Sequence, residues 1–364
     1  MRHRHPTRRD FVKTGAGVIV GAAAGGVGFG GFRFGAAAEP PVVSVVKIRY
    51  DRVGYAVEQA IDLLGGIETV ARDKQRIMLK PNLVAESPNI TTKPTVIRTL
   101  AELMKRAGKD VLIGEGSAAG TGFNLRGGVQ FRTRNREILD GMQQYVFDTL
   151  GYTELSKSAG VPLVNLHSGE MVEVPVSNGL AFDTVSLHHS LTEIDLLCSV
   201  PMMKTHVLAT VTLGMKNLIG LYPGTVYYSV RSWLHDRAAE AHSPGIAFEI
   251  LDMVRANKLG LVVIDGSTAM EGNGPSDGDL VKMDLIIAGT NPLATDMVAA
   301  HVMGFTPLEV PTFTWANRIG MQPTRVSEIE VRGETLDSVR RPFAKPSVIP
   351  WTAINKMWGV QELP

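Results

Sequence analysis

The chain has 364 residues, 44% of them hydrophobic, with 37 Lys and Arg against 36 Asp and Glu. Six of those bases and one of those acids fall in residues 1–38. The remainder therefore carries 31 against 35 and is net acidic, and nothing in it suggests a nucleic-acid binder. Cys198 is the single cysteine, so the chain can form neither an internal disulfide nor a cysteine-ligated iron–sulfur cluster.

Residues 1–38 read as an address rather than as part of the fold. Thr7-Arg8-Arg9-Asp10-Phe11-Val12-Lys13 precedes a weakly apolar run, Gly15 to Gly31, and Ala36-Ala37-Ala38 offers a small-residue cleavage site. This segment resembles a bacterial twin-arginine signal. The resemblance implies export of the folded protein to the periplasm by the twin-arginine translocation machinery, or membrane anchoring if the leader is not cleaved. Its glycine content suits a spanning helix poorly, since that needs about 20 strongly apolar residues.

Strands and helices then alternate. Val42–Tyr50 reads as a strand, and Asp51 can cap a helix that ends at Gly65-Gly66. Arg76–Lys80 is a strand running into Pro81-Asn82. Pro94 opens a helix to Ala107, with Gly108 as its stop. Asp110–Gly114 is a strand, Arg136–Leu150 a helix and Val161–Leu166 a strand. Ile194–Val200 is a continuous apolar run, as in a strand buried on both faces. Gly245–Asn257 is helical, Leu259–Asp265 and Asp284–Ala288 are strands, and Pro292–Met303 is a helix. The pattern predicts an α/β fold with a largely parallel, mixed sheet, helices on both faces and a single large domain, 39–341. Residues 342–364, with four prolines and two tryptophans, predict an extended tail on the body or a partner contact.

Polar clusters follow the predicted strands, on the carboxyl-end rim where open α/β sheets bind ligands. They are Lys80-Pro81-Asn82, Glu115-Gly116-Ser117, Pro201 to His206, and Asp265-Gly266 leading to Glu271-Gly272-Asn273-Gly274-Pro275. If Lys80, Lys204 and Lys216 converge, they demand a small anionic ligand: phosphate, carboxylate or sulfate. Thr91, Thr92 and Thr205 add hydroxyls to that binding set, and Asn82 and Asn217 add amides. His206 is a switchable proton carrier. Glu115, Asp265, Glu271 and Asp296 leave three options open. Asp265, Glu271 and Asp296 can hold a divalent metal; the carboxylates can neutralise the lysines; or Glu115 and Asp265 can join His206 in acid–base catalysis. Against all of these stand solvated surface lysines, and an Asp296 stabilised by its own helix dipole. Arg126, Arg132, Arg134 and Arg136 lie in a loop without acids, which reads either as a lid over an anion or as a solvated run. Tyr222 to His242, with Tyr227, Tyr228, Arg231, Trp233 and His235, reads as a cap with aromatic walls. The chain has no HExxH zinc motif, Walker loop or Gly-x-Ser-x-Gly elbow.

These residues also carry a family resemblance, in order between Val45 and Val331. The series is Lys80-Pro81-Asn82-Leu83-Val84, Thr91-Thr92-Lys93-Pro94, Gly114-Glu115-Gly116, Lys204-Thr205-His206, Gly214-Met215-Lys216-Asn217-Leu218-Ile219-Gly220, Asp265-Gly266, Glu271 to Pro275, and Ala294-Thr295-Asp296. It resembles the domain of unknown function 362 family. Some members of that family carry a ferredoxin-like segment with cysteine-bound clusters. This chain lacks those cysteines, so that role does not carry over. The family name supplies no reaction. The residues themselves point to an exported protein that binds an anionic small molecule, and to an enzyme using proton transfer or metal-assisted chemistry. The alternative is a non-catalytic ligand- or metal-binding or maturation protein for an exported partner enzyme. Substrate, cofactor and oligomeric state stay open.

Overall fold

A computed structural model describes residues 39–347, 349, 353 and 361–363. The leader, its cleavage site and much of the tail lie outside the described residues. Eleven strands form the main sheet. They are β1 (Val42–Lys47), β2 (Arg76–Pro81), β3 (Asp110–Glu115), β4 (Leu163–Asn165), β5 (Leu196–Val200), β6 (Met202–His206), β7 (Thr210–Thr212), β8 (Leu259–Glu271), β9 (Asp279–Val281), β10 (Leu285–Gly289) and β11 (Glu330–Gly333). Eight of them run in the spatial order β11-β1-β10-β8-β5-β2-β3-β4, and β6, β7 and β9 pair off that path. The run β8-β5-β2-β3-β4 is parallel, as is β11 with β1, while β10 lies antiparallel to both of its neighbours. The result is a mixed, mostly parallel α/β sheet within one compact unit, Pro40–Pro364.

Successive side chains of a strand point to opposite faces, and here both faces are covered. In β10, Leu285 and Ile287 enter one core, and Ile286 and Ala288 enter the other. In β8, Val262 and Ile264 oppose Leu261 and Val263 in the same way. Such strands have no solvent side, which is why they read as unbroken apolar runs. Helices Val53–Leu63 and Pro94–Arg106 cover one face with Val57, Ile61, Ile97 and Leu100. Helices Ala247–Ala256 and Pro292–Val302 cover the other with Ile250, Leu251, Leu293 and Met297. Pro94 does start its helix, and Gly108, at φ 73°, supplies the left-handed residue after it.

Two expectations are corrected by β8. It does not stop at Asp265 but continues to Glu271, because its two halves have different neighbours. The first half pairs with β5, and the second half pairs with β6 and β9. Accordingly Lys204-Thr205-His206 is not a turn after a strand. It forms the end of β6, a second parallel partner reached past Pro201. Asp51 does not cap the first helix either; it sits at φ 52° and meets Lys282 at 3.2 Å.

The described part of the tail lies against the body. Phe343 is buried and donates its N–H to Met303, Ala344 accepts from Gly272, and Ile349 donates to Val207. Gln361–Glu362 pairs in parallel with Val129–Arg132. Among the described residues no helix is long and apolar enough to cross a membrane.

The two-sided core makes a specific prediction. Ile286→Ala and Ile287→Ala, although adjacent, should each cost about 2–5 kcal/mol in denaturant unfolding. A near-neutral result for either one would mean that its face is not packed.

Candidate functional site

Parallel register builds the centre of the site. Lys80 stands opposite Ser199, and Leu79 opposite Ile113, so the carboxyl ends of β2 and β3 bring Lys80 beside Glu115. The two side chains are 1% and 2% exposed. Lys80 Nζ donates to Glu115 Oε1 at 2.8 Å, to the Pro81 carbonyl at 2.9 Å and to Asn217 Oδ1 at 3.1 Å. That uses every hydrogen of the ammonium group. Glu115 also accepts the N–H of Gly116 at 2.8 Å and of Leu83 at 2.9 Å. Burial draws the Lys80 pKa below its ordinary range, and Glu115 opposes that shift. Gly220 closes over the pair: a Cβ there would lie 2.5 Å from Glu115 Oε1 and 2.6 Å from Lys80 Nζ. A side chain at Gly116 would meet the Arg231 guanidinium at 2.8 Å. Two glycines of the series are thus explained by close approach.

A short helix, Gly214–Asn217, presents the next groups. Asp296 fixes its start by accepting from Gly214 N at 2.7 Å and Met215 N at 2.8 Å. Burial pushes the Asp296 carboxyl up to about 7 against those two bonds. The helix thus has its dipole-facing acid supplied from another element, rather than Asp296 serving its own. Ser199 Oγ donates to the Gly214 carbonyl at 2.8 Å, and Asn217 Nδ2 donates to Ser199 Oγ and to the Lys80 carbonyl, each at 3.1 Å. Lys216 and Asn217 are therefore held in register with the ion pair.

A cavity of about 310 Å³ lies here, lined by Lys80, Asn82, Glu115, His206, Lys216 and Asn217. These six were expected from the sequence. Arg231, His235 and Glu86 also line it, and sequence reasoning had not placed them there. The signal for Arg231 and His235 was present as two polar residues inside the aromatic insertion Tyr222 to His242. The aromatic rings do not form the walls. Tyr222 and Tyr227 pack on each other at 4.8 Å and on Phe182, in the core. The walls are aliphatic: Leu83, Val84, Ile90, Leu208, Ile219 and Val230.

The cavity carries excess positive charge. Lys216 Nζ makes no hydrogen bond or ion pair to a described residue. Burial, then Lys80 and Arg231, push its pKa down to about 7. Arg231 is 2% exposed and gives its terminal nitrogens to the carbonyls of Ser117, Gly116 and Gly220. Its Nε is buried without a partner, and burial lowers its pKa to about 10. Tyr228, Val230 and Arg231 adopt φ of 61°, 58° and 55°, so a strained segment delivers this guanidinium. The further carboxylate in the lining, Glu86, has Oε1 bound by Thr121. His206 is held neutral by burial, then by Lys216, Lys204 and His235. Its Nδ1 accepts from Leu208 N at 3.0 Å, which leaves the ring proton on Nε2.

The other expected residues support the walls instead. Lys204 is fully buried, does not line the cavity, and donates to the carbonyls of Ile90 at 2.7 Å and Pro275 at 3.3 Å. Thr92 Oγ accepts from Asn82 N and donates to Val200 O; Thr91 Oγ binds Ser87 O, and Thr205 Oγ binds Gly272 O. Asp265 accepts from Lys93 N at 2.9 Å and from Ser267. Glu271 accepts from Ala344 N at 3.0 Å and lies 3.6 Å from Arg341. The expected metal set of Asp265, Glu271 and Asp296 is therefore dispersed over three backbone anchors. No group of three or more His, Cys, Asp or Glu among the described residues could hold a metal ion. The four loop arginines do not line the cavity; Arg132 pairs with Asp236 at 3.2 Å and Arg136 with Asp140 at 3.4 Å.

Two outcomes follow from this geometry. Lys80→Met should cost about 3–5 kcal/mol, because it strands Glu115 in the interior. Lys80→Met with Glu115→Gln should recover part of that loss in urea unfolding; no recovery would show that the ion pair is not the cause. For Lys216 the folded pKa is depressed to about 7 from 10.5. Its charge therefore opposes folding fully below pH 7, and the opposition fades as pH rises toward 10.5. Lys216→Met should gain most stability at pH 6 and progressively less above pH 7. A gain independent of pH would contradict the depressed pKa.

Comparison with known proteins places the chain in a family. A thylakoid-associated protein of Synechocystis sp. is 26% identical over 267 residues, covering 72% of this chain and 74% of its own. The lactate racemase apoprotein of Thermoanaerobacterium thermosaccharolyticum is similar at a TM-score of 0.44 and 13% identity, over 73% of this chain. A Thermotoga maritima protein is similar at a TM-score of 0.34 and 12% identity, over 66% of this chain. The chain spans 57% of the racemase and 56% of the Thermotoga protein. The family model described as Domain of unknown function (DUF362) matches residues 77–301, which include the ion pair, Lys216 and Arg231, and the chain belongs to that family.

Proposed function

We propose that the cavity binds a small organic anion bearing a carboxylate or phosphate, and that the protein is an enzyme that moves a proton on it. The observation that carries this reading is the pair Lys216 and Arg231, two cations without a carboxylate partner among the described residues, in a cavity with aliphatic walls. In such surroundings a charge-assisted bond to an anion is strong and weakly screened. The volume of about 310 Å³ is at the small end of ligand sites, which run from about 300 to 1,000 Å³. Lys216, poised near 7, can accept or return a proton at neutral pH. His206 contributes a neutral Nε2–H donor, and Glu115 holds Lys80 rather than meeting the ligand.

The test is a thermal-shift screen of phosphate esters and mono-, di- and tricarboxylates. A hundredfold excess over Kd should add about 2.7 kcal/mol to stability. Lys216→Met should abolish that shift; an undiminished shift in the variant would remove Lys216 from the site. The best ligand is then incubated in deuterated water. Exchange of its carbon-bound hydrogen, lost in Lys216→Met, supports catalysis. Tight binding without exchange favours the non-catalytic role.

Export through residues 1–38 is part of the same proposal. Its support is the Arg8-Arg9 signal and the Ala36-Ala37-Ala38 site. Replacing Arg8 and Arg9 with Lys should leave the precursor in the cytoplasm, and exported protein should begin near Glu39. Unchanged export of the variant would refute it.

A further inference from the structure

The three lysines nominated from the sequence have different bonding states. Lys80 Nζ has three acceptors and Lys204 Nζ has two carbonyls. Lys216 Nζ has no protein acceptor among the described residues. Lys216 is half-buried, and an ammonium group with no protein acceptor beside aliphatic walls and other cations is costly, which favours the neutral amine. A neutral amine has a lone pair, and this one lies in the lining of the cavity together with Lys80 and Arg231, whose charges lower its basicity. The position of Lys216 is set by Asp296 and Ser199 through its own helix, so the amine is carried on a fixed support.

We propose that Lys216 forms an imine with the carbonyl carbon of an aliphatic α-oxo acid, whose carboxylate is held by the Arg231 Nε–H, which has no acceptor among the described residues, and whose chain lies against Leu208, Ile219 and Val230. This rests on the anion-binding reading above and names its substrate class. The amine nitrogen adds to the carbonyl carbon, and a C–N bond forms. The carbonyl oxygen leaves as water with the two amine hydrogens, and a neutral C=N bond remains. Nothing is oxidised or reduced. The imine then takes up a proton from solvent, and the iminium draws electrons from the adjacent carbon, which eases loss of a proton there. A carboxylate beside the reacting carbon offsets the charge of Arg231, which otherwise depresses the basicity of the amine.

The experiment uses the purified full chain with α-ketoisocaproate, in the presence and absence of sodium cyanoborohydride. Intact-mass and peptide analysis should find a gain equal to the acid less one oxygen, on the peptide containing Lys216. Lys216→Met and Lys216→Arg should both lose it, with their folds checked by circular dichroism. Isocaproate, which lacks the carbonyl, should compete with the labelling and itself give a thermal shift. If isocaproate shifts the melting temperature but no adduct forms at Lys216, the imine is overturned while the anion site stands. If neither acid binds, the aliphatic α-oxo acid class is overturned, and the wider anion screen decides the remaining reading. Adducts spread equally over surface lysines also overturn the proposal.

Discussion

The buried pair of Lys80 and Glu115 is the constraint around which the site is arranged. Neither charge reaches water, so each must find its full complement of partners inside the protein. Lys80 finds them on Glu115, Pro81 and Asn217, and Glu115 on Lys80, Gly116 and Leu83. One network thereby joins the ends of β2 and β3 to the helix Gly214–Asn217. Gly220 must lack a side chain because the pair occupies the space that its Cβ would enter. The cost of burying two charges in this way is compensated only when the geometry is complete, which gives the surrounding turns little freedom.

That network also explains why chemically identical lysines differ. Lys80 and Lys204 are donors whose hydrogens are committed to protein oxygens. Lys216 is carried by the same helix as Asn217, yet Asn217 accepts from Lys80 while the Lys216 amine meets no acceptor among the described residues. Arg231 adds a second cation from a distant, strained segment. The aliphatic walls lower the local dielectric, so these uncompensated charges act on each other and on any ligand more strongly than at a surface. The displaced pKa of Lys216 and the neutrality of His206 have this common origin.

Many polar residues of the family series serve as braces rather than as reactive groups. Thr92 links Asn82 to Val200, Asp265 anchors Lys93, Glu271 receives the chain at Ala344, and Asp296 holds the helix that bears Lys216. Thr92 and Asp296 satisfy backbone groups that would otherwise be buried unpaired. Asp265 and Asp296 each accept two backbone N–H bonds and Glu271 accepts one, so the three carboxylates are engaged at separate backbone anchors. Their effect on the cavity is through position: they fix the loops that carry Asn82, Lys216 and the lining of Ile90 and Pro275.

The alternation of apolar runs with helical patterns was enough to establish the α/β class, because a strand buried on both faces must be apolar at every position. Helix starts such as Pro94 and stops such as Gly108 were legible because they depend only on local backbone geometry. Lys80, Asn82, Glu115, His206, Lys216 and Asn217 could be nominated together, since each follows or ends an apolar strand or lies in a glycine-flanked turn. The sequence could not say which lysine would be left unpaired, because that depends on acceptors up to 137 positions away in the chain. Nor could it extend β8 past Asp265, since the pairing partner of its second half is set by the sheet order. Arg231 enters the cavity only because a strained turn places it beside Gly116 and Gly220. Residue types and local periodicity determined the elements and the chemical inventory; long-range pairing decided which groups are spent on the fold and which remain for a ligand.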